Sequence, residues 1–153
     1  MQSLRMEYTD FPDSSYQIKI KDIHHFSILD LKNVPFATAD TAAIKQYLAY
    51  FMDLSAEEYL NNITDAIIDS VKRTKHYAQL TVIDKQGKET ELRFFHKQPE
   101  KGNEEFNGIA VKFDPDHVFI SYNNLNDFAI GQFYTFGKLF QSRKYFTDKA
   151  VKK

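Results

Sequence analysis

The stretch YAQLTVIDKQGKETELRFFHK, Tyr77 to Lys97, constrains the fold more than any other part of this chain. Two runs of alternating apolar and polar residues flank DKQGK. Period-two alternation marks a strand with one buried face. Gly87 stands where a short loop needs a left-handed residue, a conformation glycine reaches without a Cβ clash. Pairing Asp84 with Lys88 then aligns Val82 with Thr90, Leu80 with Leu92 and Ala78 with Phe94. The other face receives Thr81 with Glu91 and Gln79 with Arg93, side chains that suit water. A slip of one residue would turn the apolar set outward, so the register is strongly specified. Carried outward, it sets His76 opposite His96.

The same test finds further strands. Leu4, Met6 and Tyr8 alternate with Arg5 and Glu7, and Tyr16, Ile18 and Ile20 alternate with Gln17, Lys19 and Lys21. Pairing Tyr8 with Tyr16, Met6 with Ile18 and Leu4 with Ile20 places all these apolar side chains on one face. Phe26–Leu31 reads as a third strand. Ile109, Val111 and Phe113 are expected to pair with Val118, Ile120 and Tyr122 around a DPDH turn.

Other segments carry the helical period. Ile44, Tyr47, Leu48 and Phe51 lie at i, i+3, i+4, i+7, with Thr38 or Asp40 available as cap. Ser55–Glu58 matches a capping box and predicts a second helical turn. Ile63, Ile67 and Val71 lie one turn apart. In NDFAIGQFYTFGKLFQS, Asn126 to Ser142, a helix would gather Ala129, Phe133, Phe136 and Phe140 into one stripe. Gly131, Thr135, Lys138 and Ser142 would lie opposite. A stacking platform needs exposed rings with basic residues among them. An ordered stripe with Lys138 on the far side is instead the buried face of a docked helix. Gln132, at the edge of the apolar arc, is expected to bond the backbone of the preceding YNNLND loop.

The order is thus strands, helix, strands, helix. It predicts a single α+β domain over residues 1–153, with helices packed on an antiparallel sheet of several hairpins. With 42% apolar residues and 14 Phe, such a chain can fill a core. A net charge of −1 offers no field to attract nucleic acid or an anionic membrane surface. Without cysteine there is no disulfide, thiol catalysis or Cys-ligated metal. No apolar run approaches the roughly 20 residues of a membrane helix. The start, MQSLRMEYTDF, lacks a signal-peptide apolar region and reads as strand almost at once, which favours a piece of a longer chain.

Few residue groups suggest chemistry. His76 and His96 are candidates for a shared metal or a pH-sensitive pair, although two ligands do not make a site. Asp114, Asp116 and His117 in FDPDHV could bind a cation or a small ligand, or do acid–base work in a metal-dependent hydrolase. Asp followed by Pro is equally ordinary turn chemistry. The basic run VKRTK, Val71 to Lys75, is short, stands beside Asp65 and Asp69, and reads as a solvated face. There is no phosphate-binding glycine loop or nucleophile elbow. No catalytic set and no cofactor is expected.

Three long segments resemble a known family. They are NVPFATADTAAIKQYLAYFMDLSAEEY, DSVKRTKHYAQLTVIDKQGKETELRFFHK and FDPDHVFISYNNLNDFAIGQFYTFGKLFQSRKYF. Together they resemble an uncharacterised family of Bacteroidota envelope proteins, a domain of unknown function. That family carries D-x-D-R-x-Y, then an F-x-x-x-Q-x-x-x-F helix and a closing Y-F. Here these positions are Asp114, Asp116, His117 and Phe119, then Phe128, Gln132 and Phe136, then Tyr145 and Phe146. His117 stands where Arg is usual and Phe119 where Tyr is usual. The resemblance spans about Leu4 to Phe146 and brings no catalytic residue with it. It implies an extracytoplasmic domain, held in the envelope by an anchor elsewhere in a larger protein; combined with the lack of a catalytic set, the expectation is a non-catalytic module binding a protein or glycan. A cytoplasmic location is the alternative.

Overall fold

The Tyr77–Lys97 hairpin forms as its sequence dictates, at the middle of a broad antiparallel sheet. The structure is a computed structural model that describes residues 1–53, 58–59, 65–99, 101–102, 104–122 and 127–147. Its strands are β1 (Ser3–Tyr8), β2 (Tyr16–Asp22), β3 (His25–Leu29), β4 (Glu58–Tyr59), β5 (Ala78–Ile83), β6 (Glu89–His96), β7 (Glu105–Phe106), β8 (Ile109–Ala110), β9 (His117–Tyr122) and β10 (Asp127–Gln132). Its α-helices are α1 (Thr41–Ala49), α2 (Asp65–Arg73) and the single turns α3 (Phe133–Phe136) and α4 (Lys144–Thr147). Eight strands join in the order β3-β2-β1-β5-β6-β9-β10-β4, every neighbour antiparallel, and β7-β8 is a separate small hairpin. The fold is therefore α+β.

The β5–β6 ladder pairs Ala78 with Phe94, Leu80 with Leu92 and Val82 with Thr90. Gly87 has φ +83°, the left-handed value the turn required. The β1–β2 register is displaced from its expectation by two residues: Met6 faces Tyr16 and Leu4 faces Ile18. The cause lies in the connection. Pro12–Ser14 forms a 3-10 turn, and the Tyr8 amide donates to Ser15 Oγ at 2.9 Å, which lengthens the loop. A shift of two keeps the same residues inward, so Leu4, Met6, Tyr16 and Ile18 are all buried.

β3 stops at Leu29, before the expected Leu31, because the Asp30 carboxylate accepts the amides of Lys32 and Val34. α1 begins at the expected cap: Asp40 Oδ1 accepts the Ala43 amide at 3.0 Å. Ile44 and Tyr47 of α1 are buried, while Leu48 and Phe51 are half-buried beside them.

Two layers cover the sheet. On one face α1, α3 and α4 enclose the main core, which joins Leu4, Met6, Tyr16, Ile18, Leu80, Phe94 and Ile120 to Phe136, Leu139 and Phe146. On the other face α2 lies over β6, β9 and β10 through Ile68 and Val71 against Phe95, Phe119 and Phe128.

Three expectations are overturned. Glu58, read as the last residue of a capping box that opens a helical turn, begins strand β4 (Glu58–Tyr59), paired with β10; residues 55–57 lie outside the described part. Ile109–Phe113 does not pair with β9. Ile109 and Ala110 form β8 against β7, and β9 pairs with β6 and β10, which buries its Val118 and Ile120 in the main core. The segment after Asn126 is not one helix: residues 127–132 are strand, followed by a turn of α-helix and a 3-10 turn at Gly137–Leu139. The rings of Phe128 and Phe136 are nevertheless interior, and those of Phe133 and Phe140 pack at the core margin. Gly131, expected on the polar side, is buried where a Cβ would lie 2.7 Å from Ile120 Cδ1 and from the Phe136 ring. Gln132 ends β10 on the exposed side. Its expected bond to YNNLND falls on a loop whose residues 123–126 lie outside the described part.

Candidate functional site

The turn that delivers the chain into β9 gathers Asp114, His117 and Lys97. The Asp114 amide donates to the Lys97 carbonyl at 2.7 Å, fixing the turn to the end of β6. Asp114 Oδ1 accepts the amides of Asp116 (2.8 Å) and His117 (3.1 Å). Its Oδ2 lies 3.1 Å from His117 Nδ1 and 3.4 Å from Lys97 Nζ. Pro115 presets the backbone between them. Asp114 is buried, and Lys97 is largely covered. Burial alone would raise the Asp114 carboxyl, but the Asp116 amide, the His117 ring and Lys97 together hold it below its ordinary value. The turn therefore carries an ionised aspartate.

That carboxylate is saturated. Two backbone N–H groups and two side-chain donors surround it, which fills the acceptor sites a carboxylate offers. These contacts fasten the turn to β6 through Lys97 and to β9 through His117. Asp116 is exposed, and its carbonyl accepts the Phe133 amide at 2.8 Å, tying the turn to the start of α3. Of the three sequence candidates, the side chains of Asp114 and His117 come together, while Asp116 meets the Asp114 carboxylate through its backbone amide. Lys97 was missed because it lies 17 positions from Asp114; only the β6–β9 pairing brings it near.

The expected histidine pair does not form. β5 begins at Ala78, so the ladder ends before His76. The His76 ring lies edge-on to Phe95, on the face covered by α2. His96 is stacked between Tyr77 at 4.2 Å and Phe113 at 4.0 Å, so both faces of its ring are covered while its edge meets solvent. Burial lowers the pKa of each. Arg93 adds to the effect at His76 and Lys112 at His96. Among the described residues no group of three His, Asp or Glu could hold a metal ion.

No family model, no curated protein and no solved structure matches this chain.

A second feature is a surface. Over β2, β1, β5 and β6, the face opposite the main core presents Arg5, Glu7, Gln17, Lys19, Gln79, Thr81, Glu91 and Arg93. Arg5 pairs with Glu7 at 2.9 Å, Arg93 with Glu91 at 2.7 Å, and Gln79 donates to Glu91 at 3.1 Å. Among the described residues no helix covers this area: α1, α3 and α4 lie on the other face, and α2 sits over β6, β9 and β10. The face is a lattice of alternating charges, most of its side chains half-buried. Among the described residues, too, no helix is long and apolar enough to cross a membrane.

Proposed function

We propose that this protein is a non-catalytic binding module that docks a protein partner on the open polar face of its sheet. The observation that carries the reading is the contrast between the two features above. The cluster around Asp114 spends its carboxylate on holding a turn, while among the described residues no helix covers a broad polar face. A protein is favoured over a glycan because the face offers Arg, Glu, Gln, Lys and Thr but no ring to stack on a sugar. Alternating charges suit a partner with the complementary pattern, giving specificity and a fast, salt-sensitive association. The resemblance to the Bacteroidota envelope family supports an extracytoplasmic setting, with the domain carried by an anchored protein.

Two measurements test this. Fractionation of producing cells, followed with an antibody, should find the protein in the envelope; recovery in the cytosol would remove that part of the reading. The domain and its Arg5→Glu/Arg93→Glu variant should be compared for retention of envelope proteins and for sedimentation with purified cell-wall glycan. Retention of one protein, abolished by the variant, supports the reading. Sedimentation with glycan that the variant leaves unchanged would overturn it.

A further inference from the structure

A cleft of about 810 Å³ opens on the core side of the sheet, between the end of β2 and α1. Its size falls within the roughly 300–1,000 Å³ of small-molecule pockets. The floor is apolar: Ile20, Phe26 and Leu48, half-buried at the margin of the main core. The rim is basic. Lys21, Lys45 and Lys85 line it from three different elements, namely β2, α1 and the β5–β6 turn. The β2–β3 register breaks between Ile20 and Asp22, making Lys21 the extra residue of a bulge, a device that re-aims a side chain at a strand end.

One acid, Asp22, also lines the cleft. Its Oδ1 accepts the amides of His24 and His25 and lies 2.7 Å from the His25 ring, and against its single negative charge the three lysines leave the lining net positive. Among the described residues none of the three lysines makes an ion pair. A row of surface lysines is ordinary. Three that line one cleft from separate elements, above an apolar floor of ligand size, give it a cationic rim and an apolar base.

We propose that this cleft binds a small amphipathic anion, an alkyl chain resting on Ile20, Phe26 and Leu48 with its carboxylate, sulfate or phosphate held by Lys21, Lys45 and Lys85. The site lies on the face opposite the polar lattice, so its failure would leave the docking reading standing, and the reverse.

The test titrates the whole chain with decanoate, octanoate and decanol, following amide and methyl resonances. Decanoate should bind saturably and shift Ile20, Phe26 and Leu48. Octanoate should bind more weakly, by up to about fourfold for each methylene lost. Decanol, which keeps the chain and loses the charge, should bind about tenfold more weakly than decanoate, as should decanoate to a Lys45→Glu/Lys85→Glu variant. Should that variant prove less stable, Lys85→Gln in the exposed turn makes the same comparison, with a loss of about threefold. Equal binding of decanol and decanoate, indifference to the lysine substitutions, or no saturable shift at the floor would each overturn the proposal. So would binding to anionic phospholipid vesicles without binding to monomeric decanoate, which would make the lysines a membrane-surface patch.

Discussion

Tyr47→Phe should cost more stability than Tyr16→Phe, although both remove one buried hydroxyl. The two phenols form a chain: Tyr16 Oη donates to Tyr47 Oη at 2.8 Å, and Tyr47 Oη donates to the Leu139 carbonyl at 2.9 Å. Both tyrosines are fully buried, with Phe146 against both rings at 4.8 and 5.1 Å. Either substitution keeps the ring contacts, so the difference rests on hydrogen bonds alone. Tyr16→Phe removes the first donor, and Tyr47 keeps its bond to Leu139; the loss is about 1 kcal/mol. Tyr47→Phe removes the middle of the chain. It leaves the Tyr16 hydroxyl and the Leu139 carbonyl without this partner in a dry core, which costs about 2–4 kcal/mol. The double variant lacks the orphaned Tyr16 hydroxyl, so it should be no less stable than Tyr47→Phe alone. Urea unfolding of the four proteins closes the cycle. Equal losses for the two single variants, or additive losses in the double, would refute the donor order and the dryness of the site.

Three further outcomes follow. Gly131→Ala should destabilise by about 1–3 kcal/mol, since the added methyl meets Ile120 and the Phe136 ring at 2.7 Å; a neutral result in thermal unfolding would show that α3 can shift away. Asp114→Ala should cost clearly more than Asp114→Asn in denaturant titrations, because Asn keeps an oxygen for the Asp116 and His117 amides; equal losses would mean that the charge, not the turn, is what matters. For His96, burial and Lys112 lower the folded-state pKa below the unfolded 6.5. A depressed histidine pKa leaves stability complete above the unfolded value and removes it as pH falls through that value. The protein should therefore unfold more easily at about pH 5 than at about pH 7.5, and His96→Gln should reduce the difference, leaving the share due to His76. An unchanged pH dependence in the variant would show that the ring is charged as readily in the fold as outside it.

The β5–β6 hairpin was legible because one glycine and two alternating runs determine every pair. The β1–β2 face was legible and its register was not, since alternation is blind to a slip of two and the Pro12–Ser14 turn sets the offset. β10 was hidden for a different reason. It has core on both sides, Phe128 toward α2 and Ala129 toward the main core, so it lacks polar alternation. Its phenylalanines, followed by one true helical turn, then imitate the 3.6-residue period. At the candidate site, the Asp114 turn was readable from Asp-Pro-Asp-His, whereas Lys97 enters through strand pairing that no local spacing encodes. The basic cleft was invisible for the same reason: Lys21, Lys45 and Lys85 are brought together by tertiary structure alone.

The placement of Phe146 has a consequence in time. Tyr16 and Tyr47 come from early in the chain, and the ring lodged against both belongs to α4, synthesised about a hundred residues after Tyr47. Tyr8, at the end of β1, donates to the Gln141 carbonyl across 133 positions. β1 itself lies inside the sheet, between β2 and β5. On the ribosome, the inward side of these first strands therefore stays wet until Phe146 has left the exit tunnel. Folding of this domain is expected to follow its synthesis rather than accompany it. An arrest-peptide force profile should then stay flat until lengths that free residue 146, and a pull at much shorter lengths would show that the sheet closes without its plug. In the cell, that interval is when a chaperone or a protease meets the chain with its apolar face open.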